Sequence, residues 1–100
     1  MAKTTIYPNS TLLKTIYGFM ISNNIESIDD DYTYILNDNA IDIDIDISFL
    51  YNALEAYTMQ NLFNPKRHKY IDYFGFDGTG IIIAIRTYDY CTNDYITVSF

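Results

Sequence analysis

Apolar residues recur along this chain at helical spacing, in strict alternation and in short continuous runs, and each pattern predicts a different element. Leu12, Leu13, Ile16, Tyr17 and Met20 follow Pro8-Asn9-Ser10 at helical intervals. A first helix is therefore expected over residues 10–22, with Asn9 or Ser10 as N-cap and Asn23-Asn24 as the exit. The acidic segment with Glu26, Asp29, Asp30 and Asp31 reads as a loop, and Tyr32-Thr33-Tyr34-Ile35-Leu36 has strand composition. Asn37-Asp38-Asn39-Ala40 has turn chemistry and leads into Ile41-Asp42-Ile43-Asp44-Ile45-Asp46-Ile47, whose period of two predicts a strand paired with 32–36 as a hairpin.

Behind this alternation, Ser48 can cap a second helix with an apolar stripe of Phe49, Leu50, Ala53, Leu54 and Tyr57, ending near Asn64-Pro65. The remainder reads as a meander. Strands over 70–76, 81–90 and 95–100 are separated by turns at Asp77-Gly78-Thr79-Gly80 and Cys91-Thr92-Asn93-Asp94. Ile81-Ile82-Ile83 is apolar on both faces and marks a central strand. The order α-β-β-α-β-β-β predicts a single α+β domain, an antiparallel sheet of about five strands with both helices on the face that carries the isoleucines. The opposite face, bearing aspartates and some of the tyrosines, is expected to be open.

Charge sharpens this picture. Of 100 residues, 49% are apolar, enough for one core, and the net charge is -7. No lysine or arginine occurs between residues 15 and 65. Abundant Ile, Asn and Tyr point to AT-rich codons, which normally supply lysine as well, so the gap reads as selection against positive charge. Such a chain is poorly suited to bind nucleic acid or an anionic membrane directly, and its expected partner is a basic protein. No run approaches the ~20 apolar residues of a membrane span, no signal peptide is evident, and Cys91 has no second cysteine to pair with. A cytoplasmic location is expected.

Aspartate is disfavoured in strands, and three on one face repel one another, so Asp42, Asp44 and Asp46 are expected to serve something outside the fold. Alternate strand residues lie ~6.8 Å apart, close to the step between neighbouring phosphates. An acidic ladder can thus imitate a phosphate row. Asp42-x-Asp44-x-Asp46 resembles the start of a calcium loop, but Ile47 and Ala53 stand where such a loop needs glycine and glutamate. Neither this strand nor Asp29-Asp30-Asp31 is expected to hold a metal, and no cofactor is expected.

Lys66-Arg67-His68-Lys69 follows the second helix, where positive charge complements its C-terminal end, with a small contact to RNA, a nucleotide or an acidic patch on a partner protein as the functional alternative. His68 reads as a lone, exposed imidazole. No nucleophile elbow, Cys/His pairing or phosphate-binding glycine loop is found, so an enzyme is not expected. Tyrosines suit protein interfaces, and Tyr32 and Tyr34 are placed on one face beside the acidic strand.

In size, in charge and in the carboxylates Glu26, Asp29, Asp30, Asp31, Asp38, Asp42, Asp44 and Asp46, the chain resembles the small acidic inhibitors carried by phages and mobile elements, including anti-CRISPR and anti-restriction DNA mimics. The resemblance implies a stoichiometric inhibitor of host defence, acting in the host cytoplasm, that fills the basic nucleic-acid channel of a nuclease such as a CRISPR effector. Two alternatives stay open. One is an immunity or antitoxin protein that plugs a cognate nuclease toxin. The other is a structural phage protein, a homodimer pairing through the strand Ile81 to Ile85 and the C-terminal strand.

Overall fold

The computed structural model describes residues 3–38 and 46–100. Its elements run β1 (Lys3–Ile6), α1 (Thr11–Ser22), β2 (Ile25–Asp29), β3 (Tyr34–Leu36), α2 (Ile47–Asn61), β4 (His68–Phe76), β5 (Gly80–Thr87) and β6 (Asn93–Ser99). The fold is α+β. The strands form one six-stranded sheet in the order β1-β6-β5-β4-β2-β3, antiparallel except where β1 runs parallel to β6.

Local chemistry explains the helix ends. The Ser10 side chain accepts the Leu13 N–H at 3.2 Å, and Leu13, Ile16 and Met20 then bury one side of α1. At its other end Asn23 donates through its side-chain amide to the Phe19 carbonyl at 2.8 Å. Asn24 takes φ 60°, a left-handed conformation that asparagine tolerates. Helix α2 buries Ile47, Tyr51, Leu54 and Thr58 at helical spacing. The dry Thr58 hydroxyl is satisfied by the Leu54 carbonyl at 2.8 Å.

Both helices contribute to one core with the sheet face that carries Ile25, Ile28, Phe74, Phe76, Ile81, Ile83, Ile85, Ile96 and Val98. Strand β5 is central, as its isoleucines predict, with β4 and β6 on either side.

The departures from expectation have identifiable causes. The supposed acidic loop is strand β2, which contributes Ile25 and Ile28 to the core although they are three residues apart. A β-bulge makes this work: Ile25 opposes Leu36 and Ser27 opposes Ile35, so Glu26 is the extra residue. Among the described residues, strand β3 pairs with β2 as an antiparallel hairpin. Residues 41–45 of that segment, including Asp42 and Asp44, lie outside the described residues, whereas Asp46 and Ile47 begin α2 instead of ending a strand. Asp46, not Ser48, is the cap, and the helix closes at Asn61 rather than near Asn64-Pro65. Strand β1 was not anticipated, because four residues paired in parallel with the far end of the chain carry no local signal.

Candidate functional site

Strand alternation assigns the second face of the sheet. Asp29 lies opposite Tyr73, Ser27 opposite Gly75, Tyr73 and Tyr95 both opposite Ala84, and Gly75 and Thr97 both opposite Ile82. These residues look away from the two helices. Gly75 and Ala84 are buried on this face, and the Tyr73 and Tyr95 side chains lie close to each other on it. Burial, followed by the nearby Tyr95 hydroxyl, raises the pKa of the Tyr73 phenol.

Bulges aim the charges. In β4, His68 and Tyr70 face the consecutive Thr87 and Arg86, and Ile71 and Tyr73 face the consecutive Ile85 and Ala84, so Lys69 and Asp72 are extra residues. A bulge redirects its side chain and leaves the ladder locally unpaired. Glu26 of β2 and Asp72 of β4 thereby join Asp29 and Asp30 around a shallow groove of about 600 Å³, with Tyr73 and the exposed Ile35 among its walls. Among the described residues no lysine or arginine lines it. Asp72 accepts from the Asn93 amide at 2.9 Å and lies 3.6 Å from the Arg86 guanidinium, which fixes that carboxylate in place. With Asp72 paired to Arg86, the carboxylates of Glu26, Asp29 and Asp30 concentrate a negative field in the concavity that favours a cationic group.

The turn from β2 to β3 shapes one end of this groove. Asp29 accepts the N–H groups of Asp31 and Thr33 through one carboxylate oxygen, at 3.1 and 3.2 Å. Tyr32 takes φ 60°, which costs about 1 kcal/mol for a residue with a side chain, and its ring packs edge-on to Tyr51 at 5.7 Å. Carboxylate oxygens of Asp29, Asp30 and Asp31 lie within 4.8 Å of one another. With one Asp29 oxygen already holding the turn, the triplet is explained as a turn-forming and charge-bearing element.

The expected acidic surface is thus partly assembled. Glu26, Asp29 and Asp30 line the groove, and Asp31 adjoins them. Tyr32 and Tyr34 do not share an exposed face: Tyr34 is half-buried against the core, while Tyr32 sits on the turn. Asp38 is exposed in the turn after β3. Asp46 lies by a different depression, with Phe19, Phe49 and Leu50, and its carboxylate accepts from the Ser48 hydroxyl and the Phe49 N–H. These bonds, that from Ser48 first, lower the Asp46 pKa. Asp46→Ala is therefore expected to lower the urea midpoint of unfolding and Asp46→Asn to leave it nearly unchanged, because asparagine caps as well as aspartate. Asp72, Tyr73 and Tyr95 escaped sequence reading because alternation puts the neighbours Asp72 and Tyr73 on opposite faces, and only the bulge at Asp72 brings both to the same groove.

The basic cluster has a structural role. Asp94, buried at the start of β6, receives the Arg67 guanidinium in a two-pronged contact, 2.7 Å at one oxygen, and approaches His68 Nε2 at 2.9 Å. His68 is buried, not exposed, and its Nδ1 accepts the Asn64 N–H at 2.9 Å. That acceptor role assigns the ring proton to Nε2. Both ring nitrogens are occupied, so His68 has none left to take a substrate proton. The Arg67 hydrogen bonds hold the Asp94 pKa down to about 2, with burial opposing them and His68 assisting.

Compared with protein-family models, with curated protein sequences and with solved structures, the chain matches none. No helix among the described residues is long and apolar enough to cross a membrane.

Proposed function

We propose that the protein is a stoichiometric inhibitor of a host-defence nuclease, such as a CRISPR effector, acting in the host cytoplasm by filling a basic nucleic-acid-binding cleft. The supporting observation is the groove on the open sheet face, where Glu26, Asp29, Asp30 and Asp72 converge beside Tyr73 with no lysine or arginine among the described residues of its lining. Like the phosphates of a nucleic acid, these carboxylates present clustered negative charge. Unlike phosphates, they are carried on a rigid sheet with a tyrosine wall that adds packed contact area. Electrostatic attraction speeds encounter, and charge-assisted hydrogen bonds to arginine and lysine then retain the partner. On this reading the mimicry rests on β2, β4 and the turn after β2.

The test is competition on a recovered partner. Added protein is expected to displace labelled nucleic acid from that partner and to saturate at one copy per binding cleft. Raising the salt weakens the effect. Combining Glu26→Gln with Asp30→Asn is expected to raise the concentration needed roughly tenfold or more. A partner that binds the protein and its nucleic acid simultaneously would contradict the mechanism.

A further inference from the structure

We propose that a cleft between α2 and the start of β4 is an anchoring pocket for a guanidinium group, supplied by one arginine of a basic protein partner. The inference rests on the functional reading above and names the chemistry by which the partner is held. The cleft has a volume of about 250 Å³, and Asp30, Tyr51, Glu55, Phe63, Lys69 and Tyr70 are among its walls. Asp30 also lines the acidic groove, so the two concavities meet at the turn after β2.

The independent observation is the Tyr51 hydroxyl. Tyr51 is only 2% exposed, and its ring packs edge-on to Tyr32 and to Phe74, at 5.7 and 5.2 Å. Its hydroxyl is buried with no hydrogen-bond partner among the described residues. A dry, unsatisfied hydroxyl is costly, and a fold that keeps one gains when a ligand satisfies it. Burial, then the charges of Glu55, Asp30 and Asp29, push the phenol pKa up. The hydroxyl therefore stays protonated with carboxylates around it, and its oxygen remains free to accept.

A guanidinium group meets these demands together. Its five N–H donors lie in one plane and suit carboxylates such as Asp30 and Glu55 together with a phenol oxygen, once the cleft side chains part to uncover the Tyr51 hydroxyl, while its flat face suits stacking on aromatic rings such as Phe63 and Tyr70. A lysine ammonium is a compact point charge that offers no such face. Lys69 is the competing cation from this chain, yet it forms no ion pair among the described residues. Removing it should open the pocket further.

The test is a titration of the isotope-labelled protein with N-acetyl-L-arginine amide, followed by amide chemical shifts. Its neutral isostere, N-acetyl-L-citrulline amide, serves as control. Saturable shifts centred on Tyr51, Glu55 and Tyr70 are expected, with citrulline binding roughly tenfold more weakly or worse, because it lacks the charge-assisted bonds. Tyr51→Phe and Glu55→Gln should each weaken the arginine probe roughly five- to tenfold, whereas Glu26→Gln should not. Lys69→Gln should tighten it. Tyr51→Phe should unfold at a temperature no lower than the wild type, since it removes an orphaned hydroxyl without opening a cavity. Shifts centred on Glu26 and Asp72, equal responses to arginine and citrulline, or no saturable shift would each overturn the pocket. If the pocket fails but partner capture still depends on Glu26 and Asp30, the inhibitor reading survives. If the probe binds as expected and no basic partner is found, the pocket survives and that reading falls.

Discussion

Asp94→Ala is expected to lower the free energy of unfolding by about 3 kcal/mol, a large share of the ~5–15 kcal/mol typical of a small domain. The carboxylate is buried and joins three parts of the chain: the residues following α2 through Arg67, the first residue of β4 through His68, and β6 itself. Its loss leaves the buried His68 Nε2–H without an acceptor, while the half-exposed Arg67 can turn to water. That asymmetry is why the expected cost lies at the lower end for a broken buried pair.

The pH dependence follows in sign from the same carboxylate. Its folded pKa of about 2 lies below the ordinary 3.8, so the unfolded state binds the proton more readily. Asp94's contribution is complete above about pH 4 and is lost as pH falls from there through about 2, to a total of roughly 2 kcal/mol. Urea unfolding at stepped pH checks this. The gap in stability between the wild type and Asp94→Asn should shrink on acidification over that range, and a constant gap would show that Arg67 does not hold the carboxylate.

Gly80→Ala should be the most damaging of the small substitutions. A Cβ at this position would stand 2.0 Å from the Val98 carbonyl oxygen and 2.9 Å from its carbon, both backbone atoms of the paired strand. The strand cannot retreat cheaply. Gly80 is also fixed from the other side, because the Asp77 carboxylate accepts the N–H groups of Thr79 and Gly80 at 2.8 and 3.1 Å. The Asp77 N–H in turn donates to the Gly80 carbonyl at 3.1 Å. An expected loss of about 3 kcal/mol should appear as a clear drop in melting temperature. Gly78→Ala is the internal control: nothing lies within 4 Å of its Cβ position and its φ is not positive, so it should change stability by less than ~0.5 kcal/mol. Equal effects of the two substitutions would contradict the close approach of β5 and β6.

These elements were legible in the sequence to different degrees, for physical reasons. Helix α1 and the β4-β5-β6 meander announce themselves through local chemistry: a serine cap, a helical stripe, and turn residues between apolar runs. The start of α2 was harder to read. Asp46 ends an alternating segment and also caps a helix, and Ser48, two residues later, is an equally plausible cap whose hydroxyl instead donates to Asp46. Strand β2 was hidden because the Glu26 bulge replaces alternate spacing with a three-residue step between Ile25 and Ile28. A further bulge at Asp72 concealed the part of the groove contributed by β4. Glu26, Asp29 and Asp30 could be selected from charge alone, but only the register shows them converging with Asp72 and Tyr73. His68 was misjudged because its acceptor, Asp94, lies 26 residues away in the sequence.

The central claim, that the acidic groove recognises a basic partner, is tested most directly by comparing affinity captures from host lysate at low and moderate salt. The wild type is set beside a groove variant, Glu26→Gln with Asp30→Asn, and an equally neutralised control, Asp38→Asn with Asp89→Asn, whose residues lie outside the groove lining. Recovery of one nucleic-acid-binding nuclease by the wild type and the control, weakened by salt and lost with the groove variant, is the predicted result. Equal recovery by all three proteins, or recovery that is indifferent to salt, would contradict the claim.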